Sequence, residues 1–296
     1  MDFRVRSDLA CENYRDLKQP PKGVECTTEK LGRLMVSRLR IKDDEAAEEL
    51  GKPCGSYVTV ECGYFHLMGE RDRALLVKLL TGEMRGMSER LCGHLPNAET
   101  NIFVAGLGNA EMTTDAIGPQ TVRHLTETRH LREHEGGLYR ELGCASLSAL
   151  APGVLGQTGI ETLELLRGAV AYVRPDLILV IDALAARSCV RLASTVQISD
   201  VGIVPGSGVG NHRSAITREA MGVPVISLGV PTVVNSATLV WDALSEAGIC
   251  EVGDSLQRVL KTGESFFVSP KECDVITREA SKILSEAISS AFIGGL

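Results

Sequence analysis

Two aspartates stand at positions from which an acid could take part in chemistry. Asp182 follows five consecutive apolar residues, Leu177 to Ile181, which predict a buried strand that ends at this acid. Asp115 lies in a loop between an apolar run that ends at Gly106 and a helix that begins near Pro119. Each position also has a structural interpretation, because Asp115 could cap the helix and Asp182 could hydrogen-bond within a turn.

The two carboxyl groups would converge if the strands that precede them are neighbours in one sheet. Carboxylates a few ångströms apart cannot both ionise, so such a pair holds one shared proton. The ionised member can accept a proton from water while the protonated member donates a hydrogen bond to the scissile carbonyl of an amide. The Asp-Thr-Gly or Asp-Ser-Gly signature of pepsin-like enzymes is absent, so the spacing by itself predicts only a hydrolase.

Motifs for other chemistries are incomplete in this chain. The glycine pattern that starts at Gly106 lacks the third glycine of a dinucleotide-binding loop, because Glu111 occupies its position. His134-Glu135 lacks the second histidine of a zinc protease, and no G-x-S-x-G elbow of a serine hydrolase occurs. We therefore expect no cofactor and no bound metal.

A second glycine-rich stretch, at 206–211, has two open interpretations. It lacks the Gly-Lys-Ser or Gly-Lys-Thr ending that holds phosphate and magnesium, which excludes a P-loop. It either forms a tightly turned loop or contributes directly to substrate binding. Ser207 and Asn211 are its polar side chains.

Composition and charge exclude several functional classes. The 296 residues include 31 Lys and Arg against 38 Asp and Glu, a formal charge of −7, and no basic run offers a phosphate-binding surface. The longest nearly apolar stretch, 223–234, is interrupted by two prolines and a glycine and is shorter than the ~20 residues of a membrane-spanning helix. We expect neither direct nucleic-acid binding nor membrane insertion.

The amino terminus and the cysteines indicate a cytoplasmic protein. Residues 1–8 are charged and lack the apolar segment of a secretory signal. The nine cysteines are an odd number and contain no C-x-x-C pair, which favours reduced structural thiols over a disulfide or zinc framework.

The elements that must position the two acids alternate between strands and helices. Hydrophobic periodicity predicts strands at 56–62, 102–106, 177–181, 193–198 and 225–230, and helices at 72–91, from 119, and at 160–173, 236–247 and 273–292. The first fifty residues are charged and irregular, with a short helix at 43–50 and no evident core. The alternation predicts an α/β fold with a doubly wound, mostly parallel sheet, helices on both faces and a ligand site beyond the carboxyl ends of the strands.

Five segments between residues 100 and 240 carry motifs of one known family. They are G-L-G-N-A-E-M-T-T-D-A-I-G-P at 106–119, L-A-P-G-V-L-G-Q-T-G-I-E-T at 150–162, I-D-A-L-A-A-R at 181–187, Q-I-S-D-V-G-I-V-P-G-S-G-V-G-N-H-R at 197–213 and G-V-P-T-V-V at 229–234. With these motifs the chain resembles the germination protease family of spore-forming bacteria, endopeptidases that degrade small acid-soluble spore proteins when a spore germinates.

The resemblance implies a fold similar to that of hydrogenase-maturation endopeptidases and a homotetramer in the cytoplasm of the forespore or spore core. It also implies a catalytic pair that matches Asp115 and Asp182, with small acid-soluble spore proteins as substrates. Four residues of the same motifs are expected to support the site or bind substrate: Asn109, Arg187, Ser207 and Asn211.

The resemblance further implies a zymogen that trims its own amino terminus at the pattern acidic residue, bulky apolar residue, Ala, small residue, Glu. Ser7-Asp8-Leu9-Ala10-Cys11-Glu12 fits this pattern, with Cys11 at the small position. We predict cleavage between Asp8 and Leu9. The predicted organisation is a propeptide at 1–8, an N-terminal segment and appended lobe at 9–100, and an α/β catalytic core at 101–296.

The sequence leaves two alternatives open. One is a metal-dependent peptidase of the hydrogenase-maturation kind, in which Asn109 and Asp115 would help to hold a cation. The other is a binding or assembly module that keeps the fold without catalytic activity.

Overall fold

The computed structural model of the chain describes residues 7–17, 19, 21–210, 213–249, 253–263 and 266–294. The strands are β1 (Val24–Leu31), β2 (Leu34–Ile41), β3 (Gly55–Glu61), β4 (Asn101–Gly106), β5 (Ser146–Leu150), β6 (Leu177–Ala186), β7 (Thr195–Ser199), β8 (Val225–Asn235) and β9 (Phe267–Val268). The helices are α1 (Ala10–Asp16), α2 (Asp44–Leu50), α3 (Glu70–Cys92), α4 (Ile117–Arg123), α5 (Arg129–His134), α6 (Gly136–Leu142), α7 (Leu155–Thr158), α8 (Thr162–Val173), α9 (Arg218–Met221), α10 (Ser236–Glu246), α11 (Asp254–Gly263) and α12 (Cys273–Phe292).

The strands of the described residues form one sheet in the order β1-β2-β3-β7-β8-β6-β4-β5, with β9 paired to β8. β5, β4, β6 and β8 are parallel neighbours, as the alternation with helices predicted. β7, β3, β2 and β1 continue the sheet through antiparallel pairs. The α/β class is confirmed, and the sheet is mixed rather than mostly parallel because residues 24–61 add three antiparallel strands beside β7.

The first fifty residues hold more structure than their sequence indicated. β1 and β2 form a hairpin whose two-residue turn places Gly32 at φ +61°. β2 buries Val36 and Leu39, whereas β1 exposes Glu25 and Glu29. The expectation of an irregular segment without a core is wrong, because the exposed polar residues of β1 hide the strand pattern. The proposed domain boundaries after residues 8 and 100 stay predictions.

The core lies on both faces of the parallel strands. Leu177, Leu179 and Ile181 of β6 pack in the cluster that contains α3 and α12, whereas Ile178 and Val180 pack in the cluster that contains Leu166 of α8. Successive side chains of a strand point to opposite faces, which explains why this strand is apolar without interruption. None of the helices in the described part of the chain combines the length and the apolar composition needed to cross a membrane.

β6 is longer than its apolar run. It continues to Ala186 through pairing with β8, with an irregularity between Leu184 and Ala185. Asp182 therefore lies within the strand, opposite Gly229 of β8, and not after its last residue as the sequence predicted. The reason is that backbone pairing with β8, rather than apolar side chains, sets the end of β6.

Candidate active site

Asp182 lies where β6 runs beyond the end of its neighbour β4. Gly106, the last residue of β4, pairs with Ile181, and the Leu107 N–H donates to the Ile181 carbonyl at 2.8 Å. The Asp182 Oδ1 accepts a hydrogen bond from the Ala183 N–H at 2.9 Å, and the residue is 5% exposed. A buried strand therefore fixes this carboxyl group at the edge where β4 has ended.

Asp115 ends a single 3-10 turn, Thr113–Asp115, in the loop that follows β4. Its Oδ2 accepts a hydrogen bond from the Asn109 N–H at 2.8 Å. Gly108 has φ +110°, and a Cβ there would lie 2.0 Å from the Asp115 carbonyl oxygen, so the loop closes on Asp115 only with glycine at this position. The N-cap of α4 is Ala116, so Asp115 does not cap that helix.

Asn109 supports this loop with its side chain as well as its backbone. Its Oδ1 accepts hydrogen bonds from the Glu111 N–H at 3.0 Å and from Gln157 Nε2 of α7 at 2.8 Å. Asn109 thus connects α7 to the backbone amide that bonds Asp115. These contacts fit the supporting role that was expected for Asn109.

Asp115 and Asp182 line the same cleft, which has a volume of about 370 Å³. Asp8 of the amino-terminal tail and Arg213 also line it. The apolar part of its wall includes Leu107, Met112, Val154, Leu184 and Phe267. The two acids nominated from the sequence therefore converge in one partly apolar cavity.

The cleft favours the protonated form of its acids. Burial holds the pKa of Asp182 well above its ordinary value, and the nearby charges of Asp115 and Asp8 act in the same direction. Burial also raises the pKa of Asp115, whereas the hydrogen bond from the Asn109 N–H and the charge of Arg213 lower it. At least one proton therefore stays on the pair at pH values at which an ordinary aspartate is ionised.

Asp182→Asn is expected to raise the thermal stability of the chain at neutral pH. The protonated Asp182 stabilises the fold fully below the unfolded-state pKa of ~3.9, and this contribution is lost as the pH rises through the raised folded-state pKa. Asparagine has no such ionisation. The difference in unfolding midpoint between variant and wild type, measured from about pH 3 to 8, should grow with pH, and a constant difference would contradict the raised pKa.

The amino-terminal tail is bound beside the two acids through the Asp8 carboxylate. The Asp8 N–H donates to the Ala185 carbonyl at 3.0 Å, and the Ala185 N–H donates to Asp8 Oδ2 at 2.9 Å. Ser207 Oγ donates to Asp8 Oδ1 at 2.6 Å. A Cβ at Gly208 would lie 2.3 Å from Asp8 Oδ2. β6 and the glycine-rich turn therefore form a pocket that fits an acidic side chain.

The residues that follow Asp8 are also buried. Leu9 is 0% exposed and packs in a cluster with Cys11, Leu184 and Ala186. The Asp8–Leu9 peptide bond therefore lies between the cleft and an apolar cluster of the protein.

Glu12 occupies a second anion site of the tail. It is 0% exposed and accepts hydrogen bonds from the N–H groups of Arg187 at 2.8 Å and Ser188 at 3.0 Å, and from the Arg191 guanidinium at 3.4 Å. The Arg187 side chain forms an ion pair with Asp16. Arg187, one of the expected site residues, thus contacts the tail.

Two residues that contact the tail were not expected from the sequence. Lys52 Nζ donates to the carbonyl oxygens of Ser7 at 2.9 Å and Asp8 at 3.1 Å. Gln197 Nε2 donates to the Asp8 carbonyl at 3.1 Å, and its Oε1 accepts from the Ala10 N–H at 2.8 Å. Gln197 is the first residue of the family motif at 197–213, so the sequence contained a signal for it, whereas none of the motifs includes Lys52.

Three further expectations concern groups outside the pair. Asn211 lies outside the described residues. The eight cysteines of the described residues are free, and Cys250 lies outside them. Within the described ranges, no three His, Cys, Asp or Glu residues group closely enough to hold a metal ion, and the expectation of a metal-independent site stays a prediction.

Known proteins similar to this chain share most of its length. Residues 6–247 match the family model described as Germination protease. A germination protease of Caldanaerobacter subterraneus subsp. tengcongensis is 36% identical over 320 residues, which cover 99% of this chain and 95% of the relative. One of Clostridium perfringens is 37% identical over 319 residues, covering 98% and 95%. One of Priestia megaterium is 39% identical over 252 residues, covering 82% and 66%.

A comparison with solved structures matches part of this chain to the NiFe hydrogenase maturation protease HycI from Thermococcus kodakarensis KOD1. The two chains are 18% identical, with a TM-score of 0.34 over 65% of this chain and 92% of that chain. The family assignment rests on the sequence matches, because the family model spans most of this chain and relatives above 30% identity cover nearly all of it. The chain therefore belongs to the germination protease family of peptidases.

Proposed function

We propose that the chain is an endopeptidase that initiates the degradation of small acid-soluble spore proteins during germination, with Asp115 and Asp182 as its catalytic pair. The name shared by its relatives supports the reaction and its setting. The observation that carries the proposal is that the chain's own Asp8 lies in the cleft lined by the two carboxyl groups. The groove thus holds a peptide with an acidic residue beside a pair of acids.

The two aspartates have different roles in this proposal. Asp182 is the more deeply buried, and its pKa is held well above the ordinary value, so it carries the shared proton and acts as the acid. Asp115 accepts the Asn109 N–H, which stabilises an ionised carboxylate, so it acts as the base that removes a proton from the attacking water. The shared proton state is the one in which both roles are available at once.

We also propose that the chain is a zymogen that cleaves itself between Asp8 and Leu9 at mildly acidic pH. A tethered tail occupies the groove at high effective concentration, so a weak affinity is enough to exclude substrates. Cleavage would remove the covalent link between Asp8 and the rest of the chain. Protonation of groove carboxylates at mild acidity populates the shared-proton state of the pair.

The bound tail also supports a substrate preference. The Asp8 carboxylate bonds Ala185 and Ser207, and Glu12 is buried against Arg191. A substrate with acidic residues at these two positions, four residues apart in the chain, would satisfy both anion sites. We propose that spore proteins are cut after the first of these acids by a homotetramer in the forespore or spore core, with no contribution from nucleic acid or membrane binding.

The test of this function is digestion of a purified small acid-soluble spore protein by the processed enzyme. Mass spectrometry of the products should locate cuts after acidic residues that are followed by a bulky apolar residue and Ala. An intact substrate after prolonged incubation would favour the inactive binding module.

Chelators, thiol-blocking reagents and serine-acylating agents are each expected to leave this cleavage unchanged. The proposed chemistry needs only the carboxyl pair and water. The digestion rate should therefore be the same with and without each reagent. Loss of activity with a chelator, restored by added divalent metal, would instead support the metal-dependent peptidase in which Asn109 and Asp115 hold a cation.

A further inference from the structure

The carbonyl oxygen of Asp8 accepts two hydrogen bonds that no motif predicted. Lys52 Nζ and Gln197 Nε2 each donate to it at 3.1 Å. Gln197 Oε1 also accepts from the Ala10 N–H at 2.8 Å. A single side-chain amide therefore bonds the peptide on both sides of the Asp8–Leu9 bond.

Gln197 faces this bond because of the sheet register. Gln197 of β7 pairs with Gly229 of β8, and Gly229 pairs with Asp182 of β6. Residues directly opposite in neighbouring strands share a face, so Gln197 and Asp182 lie on the same face, about 10 Å apart across two strand spacings. Gly229 between them has no side chain, and a Cβ there would lie 2.5 Å from Leu184. The Leu184 side chain lies over this glycine and packs with Leu9 of the tail.

Lys52 reaches the same carbonyl from the other wall of the groove. Gly51 ends α2 in the left-handed conformation, with φ +66°. Lys52 follows it and lines the same groove as Asp8, Gln197 and Gly229. Its ammonium group bonds only backbone carbonyls of the tail among its described hydrogen bonds. Burial lowers the pKa of Lys52, and the charges of Asp8 and Glu12 oppose this.

We propose, building on the proposed function, that Lys52 and Gln197 hold and polarise the carbonyl oxygen of the bond that is cleaved. The two aspartates are then free to act on water and on the leaving amine. This division differs from a mechanism in which the protonated carboxyl group bonds the scissile carbonyl.

The reaction balances with these groups and one water molecule. Water oxygen bonds to the Asp8 carbonyl carbon while the ionised aspartate takes a water proton, and the C=O electron pair moves to the oxygen held by Lys52 and Gln197. When the C=O bond re-forms, the C–N bond breaks and the Leu9 nitrogen takes a proton from the protonated aspartate. The products are a carboxyl group on Asp8 and a free amine on Leu9.

The test is self-cleavage of the full-length chain carrying Lys52→Met or Gln197→Glu. Gln197→Glu keeps the shape and the acceptor for the Ala10 N–H and removes the donor. Loss of one donor to a developing oxyanion typically costs ~10²–10³-fold in rate, so each variant should cleave that much more slowly. Lys42→Met is the matched control, because Lys42 pairs with Glu25 away from the groove, and its rate should equal that of the wild type.

A second measurement separates polarisation from tail anchoring. Hydrogen exchange of the Leu9 and Ala10 amides is compared with and without each substitution in an Asp115→Asn chain. Slow cleavage with unchanged protection supports the inference, whereas lost protection, or cleavage at the wild-type rate, overturns it. Lys52→Arg keeps a charged donor and should recover part of the rate. If Asp115→Asn alone cleaves as fast as the wild type, the proposed function itself fails, which is a distinguishable outcome.

Discussion

Asp115→Asn and Asp182→Asn are each expected to slow cleavage of the Asp8–Leu9 bond by ~10²–10⁴-fold, the usual contribution of a general acid or base. Asparagine keeps the shape of each side chain but can neither accept a proton from water nor donate one to the leaving amine. Both side chains lie in one cleft, so either substitution removes one of the two proton transfers that the reaction needs.

The measurement is the rate at which the purified full-length chain shortens at its amino terminus. Asp72→Asn serves as the control, because Asp72 lies on α3 and pairs with Arg33 at 3.8 Å, remote from the cleft. The same chemical change there should leave the rate unaltered. Thermal unfolding verifies that each variant is folded, and near-wild-type cleavage by either cleft variant would end the two-aspartate mechanism.

Asp8→Ala is expected to reduce self-cleavage at this bond on the order of 10⁴-fold, the discrimination shown by sites built to hydrogen-bond a substrate group. Without the carboxylate, the Ala185 N–H and Ser207 Oγ lose their acceptor. Gly208→Ala should act in the same direction, because the added Cβ would lie 2.3 Å from Asp8 Oδ2 and 2.6 Å from the Ala185 Cβ.

Amino-terminal sequencing after incubation at about pH 5 to 6, one to two units above the ordinary Asp pKa of ~3.9, provides the readout. The wild-type product should begin at Leu9. Ser207→Ala keeps the Ala185 N–H and should lose only part of the rate. A product that begins elsewhere, or efficient cleavage of Asp8→Ala at the same bond, would show that the pocket does not select the cleavage site.

The anion site around Glu12 distinguishes this groove from one that recognises a single residue. Glu12 is bonded by two backbone amides and by Arg191, while Arg191 also bonds Glu61 at 2.9 Å. The guanidinium is thus held in place by a residue of β3. The antiparallel strands added by the N-terminal segment therefore contribute directly to the groove that holds the tail.

The sequence by itself determined the elements whose pattern is local. The helix predicted at 273–292 begins and ends at the observed residues, because its apolar positions repeat with the helical period. β6 is buried on both faces, and its uninterrupted apolar sequence predicted a strand of a parallel sheet for that reason. Asp115 and Asp182 were predicted to lie close together because parallel strands bring their carboxyl ends to one edge of the sheet.

Only the tertiary structure decided which distant residues meet. β1 and β2 were both missed, since the exposed residues of β1 are polar and each of the two strands depends on pairing with the other. Asp182 lies within β6 because β8 extends the pairing beyond the apolar run. Lys52 and Gln197 converge on Asp8 across long stretches of chain, through the strand order that brings β7 beside β8. Local patterns encode secondary structure, whereas this convergence follows from the pairing and packing of the whole sheet.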